Sequence, residues 1–267
     1  LKEQLVKYHP NLFTYSSRKD VDIFFKELGA LEGPVSELEA FSLLSSTSSI
    51  IKDGHTIFYP SKEIIDKFYS TAKLFPFRVF WDGTSLYMIM NFSENRSIPD
   101  GTKIHSINGV PAKDIIDFAM NRMMRDGHNT NYPTWVLNNF FTAYYSFFNG
   151  FTDNFDVTFQ IDETITKTIH IKALTQAQIS TFRKQRYPDY HEGIISEKGK
   201  GLLLDINEEL DVATLTVKDF DNGRLRKNYE QNFKKTIKSY FEIIHERGVS
   251  HLILDLRGNQ GGHLTNG

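Results

Sequence analysis

The sequence predicts a mixed α+β chain of more than one unit, and three observations predict it. Apolar residues recur three and four apart through the first 60 positions, short β-rich runs fill 74–171, and a strand–helix–strand pattern occupies 211–256. A chain of 267 residues with 40% hydrophobic content can bury one or two sizeable cores, so two or three units are expected.

In the first segment, Val21, Phe24, Phe25 and Leu28 share a helical stripe until Gly29 interrupts it, and 36–51 reads as a second helix. The texture then changes. "FRVFWDG" and "SLYMIMNF" have strand composition, and Lys103 to Ile107 runs into Asn108-Gly109, a pair that tolerates positive φ and so predicts a hairpin. Pro111 and 112–124 read as a helix on that small sheet. A dense aromatic run from Tyr132 to Phe151 lies in a further helix ending at Asn149-Gly150. Core packing is the ordinary explanation for those rings, and a hydrophobic wall for peptide side chains is the alternative. Strands follow at 155–161 and 164–171, parted by a turn at Asp162-Glu163, and the polar stretch 180–200 with Pro188 reads as a linker.

The last unit is the most regular. A strand at 211–217, a helix at 225–247 and a strand at 249–256 make a βαβ unit, expected as a crossover between parallel strands. The helix places Tyr229, Phe233, Ile237, Tyr240, Phe241 and Ile244 on one stripe, and Gly248 stands where a helix C′ glycine belongs.

Composition narrows the function classes. The formal net charge is −2, so no broad positive field gathers nucleic acid or anionic membrane. The chain has no cysteine, which excludes disulfides, thiolate metal sites and a cysteine nucleophile. No apolar run is long enough for a membrane span, and no H-E-x-x-H or other metal-ligand spacing occurs, so neither a metal nor a cofactor is expected. Leu1-Lys2-Glu3-Gln4 carries neither an initiator Met nor a signal-peptide core, an opening expected where a leader has been removed.

The chemistry concentrates in "HLILDLRGNQGG", where an apolar strand feeds a glycine-dense turn. A strand of this kind delivers its turn to the carboxyl edge of a sheet, where open α/β folds place ligands. Glycines there leave backbone N–H groups uncovered for an oxyanion or phosphate. "RGNQGG" lacks the dinucleotide register, and no Gly-Lys-Ser/Thr makes a P-loop. A tight turn without a ligand is the remaining alternative.

"LILDLRGNQGG" resembles the signature of the serine peptidases that include the C-terminal processing peptidases and their tricorn-like relatives. Three other segments agree in order: "LKEQLVKYHPNLF", "KDGHTIF" and "IPDGTKIHSINGVPAKDII". The resemblance covers nearly the whole sequence but only the amino-terminal part of such a peptidase. It implies an N-terminal helical domain at 1–60, a PDZ-like domain at 74–172, the linker at 180–200, and the first part of a Clp-protease/crotonase-like catalytic domain at 201–267. It also implies an extracytoplasmic location, in periplasm or cell envelope, and a protein or peptide substrate.

Residue by residue, the resemblance makes Gly261 and Gly262 candidate oxyanion-hole amides and His55, in "DGHT", the candidate general base. A structural histidine is the alternative for His55. The tricorn-like pattern has serine just before this histidine; Gly54 stands here, so the orienting second serine is not implied. Asp53 is expected to cap its turn rather than orient His55, and Asp255 with Arg257 to form a structural ion pair. The hydroxyl-rich run from Ser42 to Ser49 has no G-x-S-x-G elbow and supplies no nucleophile. The family's serine, and the lysine of its C-terminal processing branch, would lie downstream of the glycine turn. The function implied is a serine-type endopeptidase acting through an acyl-serine intermediate, with the 267 residues alone expected to be inactive. The other reading is a non-catalytic PDZ-like peptide-binding module or an inactive truncated fragment.

Overall fold

In the computed structural model, which describes residues 1–162, 164–190, 200–259 and 261–266, hydroxyl residues set where helices begin and where they break. Helix α1 (Lys2–Tyr8) precedes α2 (Arg18–Gly29), which opens on a box in which Ser17 and Asp20 satisfy each other's backbone N–H. Ser36 and Glu39 start α3 (Glu37–Ser45) in the same way. A cap of this kind stabilises a helix end by about 1 kcal/mol. The helix expected over 36–51 is two, because α3 stops before the short α4 (Ser48–Ile51). Between and around them the Ser46, Thr47 and Ser49 hydroxyls donate to carbonyls three residues back, in competition with the helical ladder. Ser61 then caps α5 (Lys62–Ser70).

Short strands follow: β1 (Lys73–Leu74), β2 (Phe77–Trp81), β3 (Leu86–Asn91), β4 (Thr102–Ile107) and β5 (Val110–Pro111). Helices α6 (Ala112–Met120) and α7 (Asn131–Asn149) separate them from β6 (Asn154–Gln160), β7 (Thr166–Lys172) and β8 (Leu174–Thr175). The main sheet is antiparallel in the order β2-β3-β4-β6-β7, with β5 against β4, while β1 pairs with β8 apart from it. Asn108 (φ 51°) and Gly109 (φ 78°) make the β4–β5 hairpin turn, as the Asn-Gly pair predicts. The helix expected over 112–124 ends at Met120.

Phe75 is at the centre of the core of this unit, fully buried, with the rings of Phe77, Phe141, Tyr145 and Phe155 5.1 to 5.9 Å away. The aromatic run of α7 divides in two. Phe141, Tyr145 and Phe148 enter the core, and burial pushes the Tyr145 hydroxyl up to about 12; Tyr132, Trp135 and Phe140 stay 43 to 51% exposed. Phe41 of α3 stacks on Phe148 at 5.7 Å, so segments 1–60 and 74–172, separate in the sequence reading, share one compact unit spanning Leu1–Tyr190. At the outer edge of β2, Trp81 N–H donates to Asn138 Oδ1 at 2.7 Å and its carbonyl accepts from Asn138 Nδ2 at 3.1 Å, so an amide side chain stands in for a neighbouring strand there.

Residues 180–186, expected as linker, belong instead to α8 (Gln176–Arg186), which Thr175 and Gln178 start with another capping box; the part of that linker at 191–199 lies outside the described residues. The second unit contains β9 (Leu202–Asn207), β10 (Val212–Val217), α9 (Asn222–Tyr229), α10 (Phe233–Glu246) and β11 (His251–Asp255). Strand β10 is central, antiparallel to β9 and parallel to β11, which is the βαβ pairing the sequence predicts. The single helix expected over 225–247 is broken at Glu230, which has φ 56°. There Gln231 leaves the helix to accept from Leu202 N–H at 2.9 Å and to donate to Leu202 C=O at 2.8 Å. Gly248, at φ 65°, follows the cap residue Arg247 as expected. Strand β11 is bare on both faces, with Leu252, Ile253 and Leu254 44 to 54% exposed.

Phe75→Ala should cost about 3–5 kcal/mol, and Phe140→Ala well under about 1 kcal/mol, by denaturant titration. Equal losses at the two positions would contradict the division of the aromatic run.

Candidate active site

The loop that carries His55 is held from two sides within the first unit. Lys52 turns the chain out of α4 in the left-handed region, φ 52°. Asp53 then accepts from Thr56 Oγ1 at 2.6 Å and from His9 Nε2 at 3.3 Å. His9 Nδ1 accepts the Asn11 N–H at 3.2 Å, which leaves Nε2 as the donor to Asp53, and the His9 side chain is only 6% exposed. Partial burial pushes the Asp53 carboxyl up, but the bonds from Thr56, His9 and the His55 N–H outweigh it and hold the group below its ordinary value. His55 Nδ1 is 3.9 Å from Asp53 Oδ1, beyond hydrogen-bond reach, so Asp53 serves the turn.

From the other side, Gly54 N–H donates to Asp126 Oδ1 at 2.8 Å and Gly127 N–H donates to Lys52 C=O at 2.9 Å. The His55 side chain is 93% exposed, and its ring nitrogens have no hydrogen bond among the described residues. That leaves them available to a proton. One ligand-type atom each of Asp53, His55 and Asp126 lies within 4.8 Å of the other two. Both carboxylates already accept from protein donors, and no metal role is assigned.

The glycine turn belongs to the second unit, where β11 ends at Asp255; Gln260 lies outside the described residues. Asn259 is its fastener. The Asn259 Nδ2 donates to Val217 C=O at 2.7 Å, tying the turn to the end of β10, and its Oδ1 accepts the Gly261 N–H at 2.6 Å. Gly261 C=O accepts from Phe220 N–H at 2.9 Å, and Phe220 C=O accepts from His263 N–H at 3.2 Å. Between those two bonds Gly262 lies against the Phe220 backbone so closely that a Cβ would stand 2.3 Å from Phe220 C and 2.4 Å from Asp221 N. Only glycine fits. Of the two candidate amides, Gly261 is bonded to Asn259, whereas the exposed Gly262 N–H has no partner among the described residues.

The segment against which the turn lies is itself pinned. Asp219 is 7% exposed, receives a two-pronged contact from Arg224, with Nη2 to Oδ1 at 2.8 Å, and also accepts the Asp221 N–H at 2.7 Å. Asp255 and Arg257 form a two-pronged pair of 2.9 and 2.8 Å, as a structural ion pair would. In the hydroxyl-rich run Ser42 Oγ accepts from Arg122 Nε at 2.9 Å, a bond made within the first unit. Sequence reasoning singled out neither His9 nor Asp126. They lie 44 and 72 positions from their partners, so no local pattern joins them.

Residues 211–267 match the family model for peptidase family S41. Among solved structures the chain is similar to a mutant of CPAF, with 11% identity and a TM-score of 0.52 over 99% of this chain and 56% of that one. Mature CPAF complexed with lactacystin gives 10% identity and a TM-score of 0.48, covering 99% of this chain and 56% of that chain. The first of these likenesses is one of fold, and the chain spans just over half the length of the structures it matches. No curated protein matches the sequence. Among the described residues, no helix is long and apolar enough to cross a membrane.

Arg257 on both carboxylate oxygens, helped by its own backbone N–H, holds the Asp255 carboxyl down to about 2. A depressed carboxyl contributes stability that is present above its unfolded pKa of about 3.9 and is lost as pH falls toward the folded value. An NMR titration should place the Asp255 midpoint near 2 and move it up toward about 3.9 in Arg257→Ala, where only the backbone N–H still bonds the carboxylate. A midpoint near 3.9 in the unaltered protein would mean the pair is open in solution.

Proposed function

We propose that the full-length protein is a serine-type endopeptidase that cleaves peptide bonds through an acyl-serine intermediate. The observation that carries this reading is the match of 211–267 to peptidase family S41, a segment that contains the parallel strand pair and the glycine turn. His55 is the general base. Its imidazole takes the proton from a serine supplied downstream of the glycine turn as that oxygen attacks the carbonyl carbon, then returns it to the leaving amine. The carbonyl oxygen becomes negative in the tetrahedral intermediate and is stabilised by backbone donors. Gly262 N–H has no partner among the described residues and can take that task, whereas Gly261 would first have to give up its bond to Asn259. Water then attacks the acyl-serine, with His55 again moving the proton, to release the acid.

Two features of the first unit support the base assignment. The ring is open to solvent, and its loop is braced by hydrogen bonds on both sides. An extracytoplasmic location and a protein or peptide substrate belong to the same proposal. A peptide-binding module without catalysis draws no support from the β2 edge. A peptide added there would have to displace Asn138 from both backbone groups of Trp81.

In the full-length protein His55→Ala should lower kcat for a peptide substrate by about 10²–10⁴-fold, and an active-site-directed fluorophosphonate should label one serine. Unchanged hydrolysis by His55→Ala would remove the base assignment. Failure of any serine to react would remove the acyl-serine mechanism.

A further inference from the structure

Gly54 is close-packed although its chain conformation does not demand glycine. Its backbone is not in the left-handed region, since Gly54 is absent from the glycines with positive φ, so conformation alone would admit any residue. What a side chain at 54 would meet is a neighbouring carboxylate, which would have to move aside. A Cβ at 54 would stand 2.7 Å from Asp126 Oδ2 and 2.9 Å from both Asp126 Cγ and Oδ1. The carboxylate of Asp126 thus fills the space that a side chain at 54 would occupy, and it uses that place to accept the Gly54 N–H. It also brings an oxygen within 4.8 Å of a His55 ring nitrogen.

We propose that Asp126 is the positioning residue of His55, taking the place of a side chain at position 54, with His9 as the second brace of the same loop. This rests on the reading of His55 as a base. The two braces come from different parts of the first unit. Asp126 and Gly127 bond the loop at Gly54 and at Lys52 C=O, and His9 bonds it at Asp53. The amino-terminal segment that supplies His9 also supplies Tyr15, whose ring lies so near Gly127 (φ 61°) that a Cβ there would meet it at 2.9 Å. The segment from His9 to Tyr15 therefore serves the His55 loop from both directions, through His9 on one side and through Tyr15 and the 126–127 turn on the other. A ring exposed to solvent has no packing of its own to orient it, so the backbone beneath it must do so.

The test is a small set of variants in the full-length protein. Asp126→Ala should lower kcat about ten-fold or more with KM and Tm little changed, because a base displaced by even 1 Å loses much of its effect while substrate binding does not. Asp126→Asn keeps an oxygen acceptor for Gly54 N–H and should recover most of the activity. Gly54→Ser should match Asp126→Ala, and the double variant Gly54→Ser with Asp126→Ala should be no worse than either alone, because the clash is gone. Full kcat in Asp126→Ala, equal damage from Ala and Asn, or multiplied losses in the double variant would each overturn the proposal. Hydrogen exchange separates its failure from that of the base assignment. If His55→Ala proves harmless, the clamp still predicts exchange of the Gly54 amide at least about ten-fold faster in Asp126→Ala than in Asp126→Asn. Equal exchange in the two variants would overturn the clamp itself.

Discussion

Backbone polar groups left without a neighbouring strand or helix turn must find partners, and in this protein side chains meet that need at the points that matter most. Asn138 bonds both backbone groups of Trp81, and Gln231 does the same for Leu202. An orphaned backbone group in the interior costs as much as a lost hydrogen bond, so each such amide fixes an edge that would otherwise be open. The same device reaches the candidate site. Asn259 joins the glycine turn to β10, and Asp53 and Asp126 divide the N–H and O–H donors of the His55 loop between them. In both units the regular elements supply the frame, and a few Asx and amide side chains place the loops on it.

What was legible in the sequence follows from the range of the interaction that creates it. Strands β10 and β11, the hairpin at Asn108-Gly109 and the helix stop at Gly248 depend on neighbours or on simple periods, and each could be read directly. Helix α8 was legible too, through Thr175 and Gln178 in capping-box spacing, but the polar character of its surface drew the reading toward a linker. The break at Glu230 was not, because the cause is Gln231 reaching Leu202, 29 positions earlier. Strand β9 is legible only in company: it owes its place to the ladder with β10.

The candidate site shows the same division. His55 and the glycine turn stand out as short motifs, yet what a side chain at 54 would meet is the Asp126 carboxylate, and the reason glycine occupies 262 rests on the Phe220 backbone. Neither neighbour is visible from the motif. A glycine in a sequence announces that something comes close or that the chain bends back, and only the fold tells which.

Strand β11 has a consequence for how the polypeptide behaves at high concentration. It is an edge of its sheet, its apolar side chains stand open on both faces, and the ion pair at its end, Asp255 with Arg257, consumes its own charges internally. Strands with a free ladder, high apolar content and little net charge are templates for pairing with other chains. Preparations of these 267 residues by themselves would therefore have self-association as their main hazard, and colloidal behaviour, more than folding stability, would set the concentrations at which they can be handled.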